Sequence, residues 1–220
     1  PLYVLCILLK PQALMLGFLG LLAMVLCWIK HIEDRKLMLK GLGLSVVMAL
    51  VIVLPFSIGN GLSWDWLIQL YIQTLGSYSY ATVNMANLYY LFSANWVATS
   101  QSVGWALPLV FGVLCAIWAA VTFCRQRKCN MPLFWLESLV TGCFAVYYFI
   151  LTLVQPSYTL IGVPAMALCI LLTLGMYLRG NDSKHLPLAG GILFVLLCCF
   201  GLKMHERYLF PALLLLGLAF

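Results

Sequence analysis

The feature that most constrains this chain is a series of apolar stretches, each of roughly 20 residues, the length that crosses the hydrocarbon core of a bilayer as an α-helix. Only 8% of the 220 residues are charged and 65% are hydrophobic, whereas about 25% of a soluble domain is charged. The apolar runs are unbroken, while a β-barrel would show alternating segments of about 10 residues. We therefore predict an all-α, polytopic transmembrane helix bundle.

Six apolar runs are long enough to be full spans. They cover 13–29, 42–58, 105–123, 133–153, 160–178 and 187–202. Shorter runs at 1–9 and 209–220 read as partial spans. The chain starts with proline and its terminal runs are short, so we expect one transmembrane domain, 1–220, that is an internal piece of a longer protein.

Lysine and arginine residues in the connections predict the orientation of the spans. All of them except Lys10, Lys203 and Arg207 fall in or beside connections on one face, at 30–41, 124–132 and 179–186. The positive-inside rule makes that face cytoplasmic. Snorkelling to lipid headgroups could account for each of the three remaining cations alone. It explains poorly why two of them share a short segment with a histidine and a glutamate.

Two other residue types receive structural interpretations. Glu137 lies near the cytoplasmic start of its span, so we expect it to cap that helix or to pair with the basic 124–132 loop, although an intramembrane charge can signal function. The nine cysteines are scattered through the apolar runs without a CxxC pair. We interpret them as small buried hydrophobic residues, not as disulfides or a zinc site.

The long outer connection, 59–104, contains a predicted amphipathic helix at 64–75. Its apolar side recurs at helical spacing and comprises Trp64, Leu67, Ile68, Tyr71, Ile72 and Leu75. Its polar side carries Asp65, Gln69 and Gln73. The pattern predicts a helix lying at the outer interface or packed against neighbouring spans. In either case it would cover the outer end of the bundle.

The next segment, "GSYSYATVNMANLYYLFSANW", combines aromatic and amide side chains. Asn84 and Asn87 would share a face if the segment were helical. Each amide offers both a donor and an acceptor, which suits a hydroxyl-rich ligand. Ordinary interfacial packing would use the same residues.

A cluster of polar residues separates the last two apolar runs in "GLKMHERYLFPALLLL". It comprises Lys203, His205, Glu206, Arg207 and Tyr208. On a continuous helix Lys203 and Arg207 would share a face. Arginine can bind a phosphate with two parallel hydrogen bonds and lysine adds a point charge, while histidine can move a proton near neutral pH. A lipid phosphate is therefore the expected anion, and a self-satisfied ion network at a helix end is the alternative.

Three motifs together resemble the later half of GT-C glycosyltransferases. They are "LLKPQAL", "TVNMANLYYLFSANW" and "KMHERYLFPAL", and they are similar to the bacterial mannosyltransferase-like branch related to GPI mannosyltransferases. The resemblance covers essentially the whole chain. It implies a transferase in the bacterial cytoplasmic membrane that moves a sugar, expected to be mannose, from a polyprenyl-phosphate donor. The acceptor would be a glycan, lipid or protein on the non-cytoplasmic face, with membrane lipids as further partners and no nucleic acid.

The resemblance also implies roles for particular residues. Donor phosphate would be bound by Lys10, Lys203, His205 and Arg207. The site would be ordered by Gln12, Glu206 and Tyr208, and the sugar or acceptor contacted by Asn84 and Asn87. The family's catalytic base lies in an earlier outer loop, so we expect it upstream of Pro1 and expect Asp65 only to cap its helix. No cofactor is certain; a divalent cation stays open because that loop could supply its ligands.

Two other functions remain open. A secondary transporter would show polar residues at mid-membrane and paired interrupted helices; Gly162 and Pro164 interrupt one span, but no internal repeat is visible. The second is a membrane subunit without catalytic activity.

Overall fold

The computed structural model describes residues 1–76, 79–129, 131–180 and 183–219. The chain divides into two compact units, Pro1–Tyr78 and Ser79–Phe220. We predicted one domain, and the division falls inside the long connection at 59–104. Each unit is described by itself.

The regular elements in the described part of the first unit are all helices. Its elements are α1 (Leu2–Leu9), a 3-10 helix (Pro11–Leu16), α2 (Gly17–Lys30), α3 (Arg35–Gly59) and α4 (Asp65–Gly76). The amphipathic helix expected at 64–75 is α4. Tyr71 on α4 donates to the carbonyl of Ile7 at 2.8 Å, and Trp66 donates to Ser57 on α3 at 3.1 Å. Helix α4 therefore packs on its neighbours, and the placement of its exposed Ile68 and Ile72 at a bilayer interface remains a prediction.

In its described ranges the second unit contains four longer helices and a very short parallel sheet. Its elements are β1 (Thr82–Val83), α5 (Leu88–Leu91), α6 (Ala106–Cys129), α7 (Pro132–Leu151), α8 (Tyr158–Gly180), a 3-10 helix (Ser183–His185), α9 (Leu186–Phe200), β2 (Met204–His205), a 3-10 helix (Glu206–Leu209) and α10 (Phe210–Gly217). Helices α6 and α7 form a hairpin, in which Ser138 donates to the carbonyl of Ala119 at 2.9 Å. The all-α helical class is therefore confirmed.

Five helices in the described ranges are long and apolar enough to cross a membrane. They are Ala13–Lys30, Arg35–Gly59, Ala106–Cys129, Pro132–Leu151 and Tyr158–Gly180. The sixth predicted span is the 15-residue helix Leu186–Phe200, which at 1.5 Å per residue is about 22 Å long against a core of about 30 Å. It ends because Gly201 adopts an extended conformation. The helix is where the sequence predicted it, and its crossing of the membrane stays a prediction.

An aromatic core lies where α6, α7 and α8 meet the 79–104 segment. Phe111 stacks on Tyr148 with ring centroids 5.2 Å apart, and Tyr89 lies 5.9 Å from Phe111. The hydroxyl of Tyr148 donates to the carbonyl of Ile161 at 2.9 Å, and that of Tyr89 to the carbonyl of Phe200 at 3.2 Å. These bonds tie the end of α7 to the start of α8, and α5 to the end of α9.

Glu137 pairs with a different cation from the one expected. Its side chain is buried and forms an ion pair with Arg179 near the end of α8, not with the basic 124–132 loop. Its Oε1 also accepts a hydrogen bond from Trp118 Nε1 at 2.9 Å. The Arg179 guanidinium lies 4.7 Å from the centroid of the Phe134 ring. A buried carboxylate needs partners held in place by packed helices. Glu137, on α7, finds them in Trp118 on α6 and Arg179 on α8, so it connects the three helices.

We expect Gly162→Ala to destabilise the second unit. A Cβ at Gly162 would lie 2.7 Å from Leu202 Cβ and 2.9 Å from the Tyr89 hydroxyl, atoms that cannot easily move. Overpacking of this kind costs about 1–3 kcal/mol. The measurement is the thermal unfolding midpoint of detergent-solubilised protein.

Gly142→Ala is the matched control, because a Cβ at Gly142 has no heavy atom within 4 Å. Replacing a helical glycine by alanine there should leave stability unchanged or raise it by up to about 1 kcal/mol. Equal midpoints for both variants would contradict the tight contact at Gly162.

Candidate functional site

A parallel strand pair joins the amide-rich segment to the polar C-terminal cluster. Thr82 pairs with Met204 and Val83 with His205, and the amide of Lys203 donates to the carbonyl of Ala81 at 2.9 Å. All four paired residues are buried. The structure therefore places two of the three motifs side by side, with Asn84 directly after one strand and Glu206 directly after the other.

The backbone around this pair does not form an α-helix. Lys203 has φ 61° and Asn84 has φ 54°, both in the left-handed region that L-residues seldom adopt. Residues 204–205 are extended, and 206–209 form a 3-10 helix. Lys203 and Arg207 therefore do not share a helix face, because residues 204–205 form a strand where a continuous helix was required.

Asn84 lies in a local cluster of amides and aromatic rings. Its backbone amide donates to Asn95 Oδ1 at 2.9 Å, and its own Oδ1 accepts from Trp96 Nε1 at 3.1 Å. Trp96 in turn lies edge-on to Tyr80, with centroids 5.2 Å apart. Asn84 is exposed and held in place, so it can meet a ligand with little loss of conformational freedom. Sequence reasoning did not single out Trp96 or Tyr80, because nothing local marks that pairing.

Asn87 has a different role from Asn84. It is buried, with 4% exposure, and its Oδ1 accepts the backbone amide of Tyr90 at 3.1 Å. Asn87 is therefore the N-cap of α5, a position that favours asparagine. Because Asn84 precedes that helix in a left-handed turn, the two asparagines do not share a helical face.

The polar cluster itself has one buried and several accessible members. His205 is buried, whereas Glu206 and Arg207 are exposed and Lys203 and Tyr208 are partly buried. The His205 and Tyr208 rings lie 5.7 Å apart in an edge-on arrangement. Burial, and then the Arg207 cation, lower the pKa of His205, while Glu206 acts in the opposite direction. A neutral imidazole results at pH 7, so any positive charge offered to an anion comes from Lys203 and Arg207.

Several connections meet at the same end of the second unit as this cluster. The amide of Val103 donates to the carbonyl of Pro156 at 2.8 Å, and that of Thr159 to the carbonyl of Thr99 at 3.1 Å. The 79–104 segment thus lies against the start of α8 and, through β1, against β2. The 79–104 segment, the start of α8 and β2 therefore lie at one end of the second unit.

The remaining predicted site residues belong to the first unit. Lys10 ends α1 in an extended conformation and is exposed; its participation in the cluster stays a prediction. Gln12 lies in the 3-10 helix, and its side chain is outside the described part of the structure. Asp65 opens α4 and accepts a hydrogen bond from the Ser63 hydroxyl at 3.1 Å, a position that favours an acidic residue.

One group of side chains in the described ranges has metal-ligand spacing. The ligand atoms of His31, Glu33 and Asp34 lie within 4.8 Å of one another. All three residues are exposed in the turn between α2 and α3. Exposed acidic groups of this kind are common without an ion, and this turn belongs to a connection predicted to be cytoplasmic.

Comparisons with known proteins found no matching family model, no matching curated protein and no matching solved structure.

Proposed function

We propose that this chain is part of a membrane glycosyltransferase that moves a sugar, mannose in our reading, from a polyprenyl-phosphate donor to an acceptor on the non-cytoplasmic face. The observation that carries the proposal is the parallel pairing of β1 with β2. It sets a cation-bearing segment beside an amide-bearing segment at one end of a bundle of apolar helices. A lipid-linked sugar needs groups of both kinds, one for the phosphate and one for the hydroxyls.

The donor phosphate is assigned to the accessible cations of the cluster. Arg207 is exposed and can bind two phosphate oxygens at once, and Lys203 lies just before the strand pair. Neutral His205 can donate one hydrogen bond to a phosphate oxygen. Glu206 and Tyr208 are assigned to ordering these groups. Cations at the phosphate would stabilise the charge that grows as the glycosidic bond breaks, which favours the transition state over the ground state.

Sugar or acceptor hydroxyls are assigned to the amide-bearing segment. Asn84 is exposed, and its neighbours Asn95 and Trp96 hold it in position. A base on the opposite side of the sugar would complete a single inverting displacement. We prefer this to a two-step retaining route, which requires a pair of carboxylates about 5–5.5 Å apart.

The orientation of the cluster can be tested by labelling. We expect Glu206→Cys to react with a membrane-impermeant maleimide added to the non-cytoplasmic side of intact cells, because Glu206 is exposed. The background replaces the other exposed cysteines, Cys6, Cys124 and Cys143, with serine. Native Cys129, at the end of α6, is the control and should react only after the cells are opened.

Labelling of Glu206→Cys only in opened cells would place the cluster on the cytoplasmic side and contradict the proposed donor site. Labelling of both cysteines in intact cells would show that the membranes are leaky. Uptake of a small impermeant dye by the same cells checks for such leakage.

A further inference from the structure

A large apolar cavity lies among the helices of the second unit. It has a volume of about 440 Å³ and is lined by residues of α6, α8 and α9 with one residue of α7. On α8 the lining runs from Ala165 to Met176, about 16 Å at 1.5 Å per residue. This is close to half of the roughly 30 Å hydrocarbon core, so the cavity has the length of a chain in one leaflet.

The polar groups in the lining already have partners. Trp118 Nε1 donates to Glu137 at 2.9 Å, and Thr141 Oγ1 donates to the carbonyl of Glu137 at 2.8 Å. No charged side chain is among the described residues that line the cavity. The cavity therefore suits a ligand portion without hydrogen-bonding groups, namely a hydrocarbon chain.

A second pocket, of about 280 Å³, shares one lining residue with the first. Phe200 lines both, and Asn87 lines the second. Asn87 uses its Oδ1 to cap α5, whereas its buried Nδ2 has no hydrogen-bond partner within the described residues. A buried donor left unpaired is costly, so Nδ2 gains by meeting an acceptor atom.

We infer that the two pockets together bind the acceptor of the proposed reaction, and that this acceptor is an uncharged lipid bearing a hydroxyl group. That this lipid is the acceptor rests on the proposed function. That a lipid of this kind binds here does not. The hydrocarbon chain occupies the cavity among α6, α8 and α9. An oxygen of the head group accepts a hydrogen bond from Asn87 Nδ2.

The absence of charge in the described lining favours an uncharged lipid over the phosphate-bearing donor as the ligand of these pockets. The described lining of both pockets contains no cation, and burying an unpaired phosphate there would be strongly unfavourable. Lys203 precedes β2 and Arg207 follows it, and these cations suit the phosphate. A hydroxyl or ester oxygen can take the neutral Asn87 donor without burying charge.

The test is photo-crosslinking of a diacylglycerol that carries a diazirine in one acyl chain, to the protein in phosphatidylcholine vesicles. Peptide mass spectrometry should find the adduct within 111–118 or 165–176. Leu172→Trp fills the cavity, since Leu172 lines it, and should lower crosslinking about fivefold or more. Leu171→Trp is the matched control, because Leu171 is 48% exposed.

Asn87→Ser provides a second variant that keeps the helix cap, because serine is also a good N-cap residue. It lacks the amide donor, so crosslinking should fall by about fivefold. Unlabelled dioleoylglycerol should compete with the probe, and a polyprenyl phosphate should not.

Undiminished crosslinking in both Leu172→Trp and Asn87→Ser would overturn the inference. So would equal competition by a polyprenyl phosphate, which would assign the cavity to a donor chain. Arg207→Ala should leave crosslinking unchanged. If crosslinking behaves as expected but sugar transfer does not require Arg207, only the donor assignment is wrong. If transfer requires Arg207 but no adduct forms in the cavity, only the acceptor assignment is wrong.

Discussion

Replacing Arg207 with alanine is expected to reduce sugar transfer by the full-length protein by about 10²–10³-fold, the usual effect of removing one group that stabilises transition-state charge. Arg207 is exposed, so its loss should not affect folding. The measurement is transfer from a radiolabelled polyprenyl-phosphate sugar in membrane vesicles, together with the thermal unfolding midpoint. Arg207→Lys should recover part of the activity, because it keeps the charge but not the two-pronged geometry.

Arg127→Ala is the matched control for the loss of an exposed arginine. Arg127 lies in the last turn of α6, where its guanidinium is 4.8 Å from the centroid of the Phe123 ring. Its loss should leave transfer near the wild-type rate. Near-normal transfer by Arg207→Ala would show that the phosphate contact is assigned to the wrong residue.

Replacing Glu137 with alanine is expected to destabilise the second unit by about 3–5 kcal/mol, the usual cost of removing one partner from a buried ion pair. The substitution leaves both the Arg179 guanidinium and Trp118 Nε1 without their acceptor. Thermal unfolding in detergent would measure the loss. Glu33→Ala removes an exposed carboxylate and should change stability by no more than about 0.5 kcal/mol.

The double variant Glu137→Ala with Arg179→Leu separates a broken pair from lost packing. Removing both charges eliminates the uncompensated cation, so the double variant should be clearly more stable than Glu137→Ala alone. If the single and double variants unfolded at the same temperature, the ion pair would not be the source of the destabilisation.

The sequence was most informative about the helices, because their length and polarity are dictated by the bilayer. Five of the six predicted spans have helices of sufficient length. The sixth, 187–202, coincides within two residues with the shorter apolar helix Leu186–Phe200, which ends where the backbone at Gly201 becomes extended. A Cβ at that glycine would lie 2.3 Å from the carbonyl oxygen of Leu197, which identifies it as a point of close backbone approach.

The candidate site was only partly predictable. The chemical types of its residues and their location at one end of a bundle could be read from composition and connection order. Their geometry could not, because Thr82 and Met204 are 122 residues apart and a two-residue strand has no periodic signal. For the same reason the sequence could not predict that Asn84 is exposed while Asn87 is a buried helix cap.

The sequence by itself determined a helical membrane architecture, because an apolar segment of sufficient length satisfies its own backbone hydrogen bonds wherever it lies. Only the tertiary structure decided that residues 204–205 form a strand beside β1 and that Glu137 pairs with Arg179. Both outcomes depend on hydrogen-bond partners distant in the chain. A buried backbone amide or carboxylate takes whichever partner the folded helices bring to it, and no local pattern encodes that choice.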